Sequence, residues 1–434
     1  MAIAYQAEEM DAPQRRLLSA QLHARPPEEL GENVRAIHFT VGGGASNDDT
    51  DTDRIKSLCR DYGIKEPASD LDQLSAECDN FRLKWERHTE FTTYTFFYPR
   101  GDKKPFSDPP MSLVPQGWFE AIKHQVMVAV YVELVQNQEE LPDAVEITSV
   151  LSGGSLAGSR VSGGNAALWS DYLIHKDGFT RVLIHDSGLG GRQRGRLLQR
   201  IIEIETYGMM ALLAYPLARD LGAKMAQIDT ELATLASQVA KSRVGDNEKP
   251  ILYELQALSA RLEDIGARTN YRFSAAQAYY ELVQRRTLEL REQRIPGLQT
   301  TSEFIDRRLA PGMRTCQSVQ DRIEKLSTRA ARLSNLLRTQ IDIALETQNR
   351  DLLHSMDERS KQQLRLQETV EGLSVVVLSY YSVGLISYGL KSLKSAGLPV
   401  PVELVTGISI PLVFLAVWGG VKIMRNRIMK HKPH

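Results

Sequence analysis

Two stretches near the carboxyl end restrict this chain more than anything else in it. From Leu373 to Leu390 it reads LSVVVLSYYSVGLISYGL, and from Leu404 to Val421 LVTGISIPLVFLAVWGGV, eighteen residues each without a charge. At about 1.5 Å per helical residue each run covers about 27 Å, close to the roughly 30 Å hydrocarbon layer of a bilayer. Buried helices of a large soluble protein carry polar residues at helical spacing, whereas these runs carry only Ser, Thr, Tyr and Gly. Gly384, Gly389, Gly407, Pro411, Gly419 and Gly420 are poor helix formers in water. In lipid, small residues let helices approach closely and proline is tolerated. The expectation is a two-helix transmembrane hairpin over 372–423, with spans at about 373–390 and 404–421. The connector between the spans contains Pro399 and Pro401.

The hairpin predicts an orientation. Lys422, Arg425, Arg427, Lys430 and Lys432 follow the second span with no acid among them, so the positive-inside rule puts a basic tail, 424–434, in the cytoplasm. The opening MAIAYQAEEMDAPQRR lacks the apolar core of a secretory signal, which puts the amino end on the same side. The lipid bilayer is thus the first expected partner. Nucleic acid is not expected, because 53 Lys+Arg against 54 Asp+Glu leave no positive excess to hold a phosphate backbone. Cys59, Cys78 and Cys316 form no C-x-x-C pair, which encodes neither a disulfide framework nor a zinc finger.

Ahead of the hairpin, 191–371 has the Leu, Ala, Arg, Gln and Glu composition of long helices and is expected to form a helical coiled-coil stalk. Leu221, Met225, Ile228, Leu232, Leu235 and Val239 alternate 4 and 3 apart, as do Ile251, Leu255, Leu258, Leu262 and Ile265. The turn-forming Val244–Pro250 between them predicts an antiparallel helical pair. After a break at Pro296-Gly297, Ile323, Leu326, Ala330, Leu333 and Leu337 continue the spacing, which then drifts through Ile341, Leu345, Leu352 and Met356. No strong breaker lies between Met313 and the first span, so one helix is expected to run from stalk to membrane. These seams fit pairing within one chain and pairing between chains equally well, and a homo-oligomer is the partner call.

Residues 1–190 predict a cytosolic α+β domain with mainly antiparallel strands. Val34–Val41, Arg82–His88, Phe91–Tyr98, Gln125–Val135, Ala144–Leu151, Asp171–Lys176 and Thr180–Asp186 read as strands, with a helix near Asp53–Cys59. The glycine-rich Ser152–Gly164 reads as a loop or loosened hairpin.

Four stretches carry a family likeness. They are Leu22-His23-Ala24-Arg25-Pro26; Trp85-Glu86-Arg87-His88-Thr89-Glu90-Phe91; Asp306-Arg307-Arg308-Leu309-Ala310-Pro311 with Met313-Arg314-Thr315-Cys316; and Gln348-Asn349-Arg350 with Val370-Glu371-Gly372-Leu373-Ser374. In this order they resemble the bacterial family of uncharacterised membrane-anchored proteins, domain-of-unknown-function family 3422, along essentially the whole chain. The resemblance implies a bacterial inner-membrane protein and brings no activity. The plan of the chain is also similar to that of the CorA magnesium channel family. Where that family ends its first span with Tyr-Gly-Met-Asn, however, this chain has Tyr388-Gly389-Leu390-Lys391.

Candidate chemistry is sparse. His23 and Arg25, before Pro26, suit a phosphate or carboxylate, or else a structural clip. Glu86, His88 and Glu90 alternate along a strand and so share a face that suits a divalent metal, acid/base work, or a salt-bridged surface. In Asp186–Arg196, glycines let the backbone approach an anion at a helix start, with Arg192, Arg194 and Arg196 as charge, or they mark a domain boundary. If first spans gather around an axis, Ser379, Ser382, Ser387, Tyr388, Gly389 and Lys391 line the pore, where the lysine opposes cations. No Ser-His-Asp order or H-E-x-x-H pair occurs, and no cofactor is indicated. The functional expectation is a non-enzymatic, membrane-anchored, oligomeric sensor or interaction protein. The alternatives are a CorA-like channel or transporter and a membrane-tethered metal- or phosphate-binding enzyme.

Overall fold

In the computed structural model the described residues are 15, 19, 26–43, 48–67, 72–101, 103–136, 142, 144–151, 155–242, 249–396 and 401–430. In chain order the elements are β1 (Val34–Gly42), α1 (Asp48–Asp61), β2 (Gln73–Glu77), β3 (Arg82–Arg87), β4 (Phe91–Pro99), α2 (Gln116–Ile122), β5 (Val126–Gln136) and α3 (Ala144–Leu151). They continue with β6 (Ala157–Val161), β7 (Ala166–Ser170), β8 (Thr180–Asp186), α4 (Gly191–Leu212), α5 (Ala214–Lys241), α6 (Lys249–Glu289), β9 (Gln293–Arg294), α7 (Thr301–Ser395) and α8 (Val402–Lys430). The chain divides into two compact units, one of 1–238 with 253–333 and one of 239–252 with 334–434.

An N-terminal α+β domain sits in the first unit. Its nine strands lie in the order β2-β3-β4-β1-β5-β8-β7-β6-β9. All described pairings between named strands are antiparallel except β5 with β8, so the sheet is mixed. Period-two alternation sorts side chains between its faces. Ile37, Phe39 and Val41 of β1, Leu83 and Trp85 of β3, and Tyr94 and Phe96 of β4 join Ile55 and Leu58 of α1, Trp118 and Ile122 of α2, and Ile147 and Leu151 of α3 in one buried core. Trp118 meets Phe39, Tyr94 and Phe96 edge-on or nearly so, at ring separations of 4.8–5.7 Å, which adds to the stabilisation from burial alone. The residues between, His38 and Thr40 of β1, Lys84 and Glu86 of β3, and Thr93 and Thr95 of β4, point to the other face, beneath α4.

Two expected strands are not strands. Ala144–Leu151 is helix α3, in which Ile147 and Leu151 are buried four residues apart, the helical spacing. Asp171–Lys176 is irregular. The Ser170 and Asp171 side chains accept hydrogen bonds from the backbone N–H of Tyr172 and Leu173 at 3.0 and 3.2 Å. Tyr172 adopts φ +54°, so local side-chain bonding replaces the ladder. Part of the glycine-rich stretch is strand β6, where the missing side chain of Gly158 makes room for the Trp169 indole, 2.4 Å from where a Cβ would stand.

The rest of the chain is largely helical. Leu221, Met225, Ile228, Leu232 and Leu235 of α5 are buried, as are Leu255, Leu258 and Leu262 of α6. An ion pair between Glu231 and Arg261 joins the two helices. Ile323, Leu326 and Ala330 of α7 are buried too, and Arg322 and Arg329 both reach Asp229 of α5, at 3.3 and 3.0 Å. Helix α7 starts where the Glu292 carboxylate accepts the N–H groups of Thr301 and Ser302, both at 2.9 Å, satisfying donors that a helix start leaves open. From there it runs without interruption to Ser395, as the lack of a breaker implies.

Among the described residues three helical stretches are long and apolar enough to cross a membrane: Gly191–Lys241, Thr301–Ser395 and Val402–Met424. In the first, 44% of the apolar window is buried inside the protein, which marks it as core; the other two have 11% and 0% buried.

Candidate functional site

The polar face of the sheet and helix α4 line a cavity of about 50 Å³, enough for a few water molecules. Its walls include Lys84, Glu86 and His88 from β3 and the turn after it, Thr93 and Thr95 from β4, and Gln199, Glu203, Thr206 and Tyr207 from α4. At its base lies a buried cluster. His38 Nδ1 is 2.9 Å from Thr95 Oγ1, and Nε2 is 3.2 Å from both Thr40 Oγ1 and Thr206 Oγ1. The two threonine hydroxyls are 3.0 Å apart. Burial, aided by the nearby positive charges of His88 and Lys84, lowers the His38 pKa to about 3, so the ring is neutral and each nitrogen has a hydroxyl partner. The cluster therefore ties β1, β4 and α4 together through a fully bonded polar core.

Lys84 Nζ stands 3.2 Å from the Glu86 carboxylate, with both side chains largely buried. Glu203 accepts from Arg286 of α6, which also bonds Glu289, while Arg200 reaches Glu289 at 3.1 Å. At the N-terminal end of α4 the backbone of Glu28 passes so close that a Cβ on Gly195 would stand 1.7 Å from the Glu28 carbonyl oxygen. Only glycine fits there. Glu28 in turn accepts from Arg82 at 3.0 Å.

The sequence candidates separate on this frame. Glu86 and His88 do share the cavity, and His88 stacks on Phe91 at 4.4 Å. Glu90 instead receives both arms of the Arg272 guanidinium of α6, each at 2.8 Å, which ties the turn after β3 to the helices. Among the described residues no three His, Cys, Asp or Glu side chains gather in a way that holds a metal ion. In the arginine loop, Arg194 is buried and pairs with Asp186 at 2.5 Å. The other oxygen of Asp186 accepts the N–H groups of Gly188 and Leu189, at 2.9 and 2.6 Å. Arg192 and Arg196 are exposed, and Glu29 lies 3.6 Å from Arg192. Of the three arginines, Arg194 is therefore spent within the protein, while Arg192 and Arg196 keep their charge at the surface. His23 and Arg25 lie outside the described residues.

The six pore candidates are spread around α7. Ser379 is buried within the chain and donates to the Val375 carbonyl at 2.7 Å, Ser382 and Ser387 are half-buried, Tyr388 and Gly389 are exposed, and the Lys391 ammonium lies 5.9 Å from the Tyr388 ring centre. Sequence reasoning missed His38, Thr40, Lys84, Thr95 and Thr206. The one available signal was polar residues at alternate positions of β1, β3 and β4, and it reads equally well as a solvated sheet face.

The model of the family described as "Protein of unknown function (DUF3422)" matches residues 10–428. No curated protein matches the chain.

Proposed function

The chain belongs to the family of proteins of unknown function (DUF3422), a membership that carries no activity with it, and from that premise we propose a role built on its geometry: a membrane-anchored protein that presents an α+β domain on the cytoplasmic side as a sensor or interaction module. The observation that carries this reading is the exposure of the last two helices. Leu373, Val376, Val377, Leu378, Leu385, Leu404, Ile408, Leu412, Phe414, Leu415 and Trp418 are each at least 44% exposed, within runs that hold no charge to make that surface soluble. Water does not tolerate a continuous apolar surface of this extent, whereas a bilayer matches it. Two spans return the chain to the side it left, and the basic residues after the second span assign that side to the cytoplasm.

A binding module rather than an enzyme fits the cavity as well. Its His38 ring has both nitrogens engaged, and its carboxylates stand against Lys84, Arg82 and Arg286. The pore reading draws on the same first span, but its candidate side chains do not share a face of α7.

Alkaline extraction of membranes tests the anchor. The full chain is expected to stay in the pellet and to be released only by detergent, and a chain cut before Gly372 is expected in the supernatant. Release of the full chain by alkali alone would overturn the reading. Labelling of Ser392→Cys from outside intact inner membranes, with none at a cysteine appended to the tail, checks the orientation.

A further inference from the structure

Residues 345–370 of α7 are exposed without a break, so among the described residues nothing covers 26 consecutive helical positions. A single helix with no packed face is marginal in water, which makes its pattern informative. Leu345, Leu352, Leu366 and Leu373 recur at intervals of seven or fourteen, with Arg359 at the one interrupted step. Four residues after members of this row come Asn349, Met356, Gln363, Val370 and Val377. In heptad terms these are leucines at d, with Val370 and Val377 at a, the combination that favours parallel helix pairs. The polar Asn349 at a is a device that fixes register.

The charges follow the same division. Of the ten Asp, Glu, Lys and Arg residues between Leu345 and Val377, only Glu346 and Arg359 lie at a, d, e or g. Arg350, Asp351, Asp357, Glu358, Lys361, Arg365, Glu368 and Glu371 lie at b, c or f, where Asp357 and Lys361 pair at 2.7 Å along the outer face. A nearly uncharged stripe is self-compatible, because an identical copy laid against it meets almost no like charge. The row continues in phase into the first apolar span, through Val370, Leu373 and Val377. The two residues of that span buried within the chain, Val375 and Ser379, lie at f and c, on the other side of the helix from the 345–377 row.

We infer that 345–377 is the pairing surface for a second copy of this chain, joined in parallel and in register by the Leu345, Leu352, Leu366 and Leu373 row. The parallel sense rests on the membrane reading above: two copies entering one bilayer in the same direction present this row at the same height. Confinement to the membrane raises their effective concentration.

Cysteine scanning of the full chain in native membranes tests the pairing, with the unaltered protein as control, since its cysteines are buried or half-buried. Under mild oxidation Leu352→Cys and Leu366→Cys are expected to give disulfide-linked dimers about tenfold more readily than Lys361→Cys and Glu368→Cys, whose Cα atoms stand well beyond the roughly 7 Å within which a disulfide closes. Equal cross-linking at all four positions, none at any, or a product whose mass is not twice that of the chain overturns the inference. Cross-linking between Leu345→Cys and Leu373→Cys partners in mixed populations overturns the parallel sense. If the protein washes out of membranes and still cross-links with the heptad pattern, the anchor fails and the pairing stands; retention in the pellet without the pattern is the reverse. Arg359→Leu, which completes the row, is expected to raise the dimer yield, and a fall would count against it.

Discussion

The helices of this chain carry the same kind of apolar seam in two settings. Between 214 and 333 the seams of α5, α6 and α7 are covered by one another, with Leu232, Leu255, Leu262 and Ala330 reduced to no exposure. Between 345 and 377 the seam of α7 is bare. Leucine spacing is alike in both regions, so periodicity encodes the wish to pair and says nothing about the partner. Chain connectivity supplies the partner in the first case, where α6 follows α5 in the chain and pairs with it. Among the described residues the second seam has no returning segment on its a/d side.

Paired substitutions break or sharpen the contrast, starting with the largest effect. Leu232→Asp places a carboxylate in a fully buried position and is expected to cost about 4–5 kcal/mol, enough to unfold the helical bundle, whereas Leu352→Asp should leave the melting of the first unit unchanged and only reduce dimer yield. Thermal melts read by far-UV circular dichroism in detergent make the comparison, and equal losses would end it. Gly195→Ala is next, at about 3 kcal/mol, because its methyl group has no space beside the Glu28 carbonyl. Gly372→Ala, in α7 with nothing within 4 Å, should cost nothing and gain up to about 1 kcal/mol of helix propensity.

A third effect depends on pH. The folded His38 pKa of about 3 lies below its ordinary value of 6.5, so the unfolded chain binds the proton first. Stability from this group is complete above about pH 6.5 and is lost as pH falls toward 3, by about 2 kcal/mol at pH 5. Glu205 acts in the opposite sense: burial raises its carboxyl to about 7, so its contribution falls as pH rises from about 4.5. The useful measurement is therefore the difference between the wild type and His38→Gln across pH 4–7, which should shrink toward the acid end. The smallest effect belongs to the half-exposed Asp229 pairs. Asp229→Asn should cost about 0.5 kcal/mol and less in high salt, and a loss above about 2 kcal/mol would mean that the covered seam depends on charge more than on burial.

Much of the fold was legible in local pattern. Strands β1, β3, β4, β5 and β8 follow from β-branched and aromatic runs, and the uninterrupted course of α7 follows from the lack of a breaker after Met313. The failures also have local causes. Ala144–Leu151 is apolar enough for a strand, and only its packing of Ile147 with Leu151 selects a helix. Asp171–Lys176 has strand composition, but side-chain bonds to its own backbone hold it irregular. In the candidate site, the shared face of Glu86 and His88 was readable from alternation. The capture of Glu90 by Arg272, 182 residues away, was not.

By itself the sequence determined what depends on neighbours along the chain: helix and strand periodicity, two uncharged runs of membrane length, the basic tail and the family pattern. Those features are set by covalent spacing and by each segment's own transfer energetics. The tertiary structure alone decided which groups lose water together. It buried His38 among three threonines from β1, β4 and α4, turned Arg194 inward onto Asp186, and covered one heptad seam while leaving another open. Such outcomes turn on contacts between residues far apart in the chain, whose desolvation and pairing are fixed only when the elements have packed.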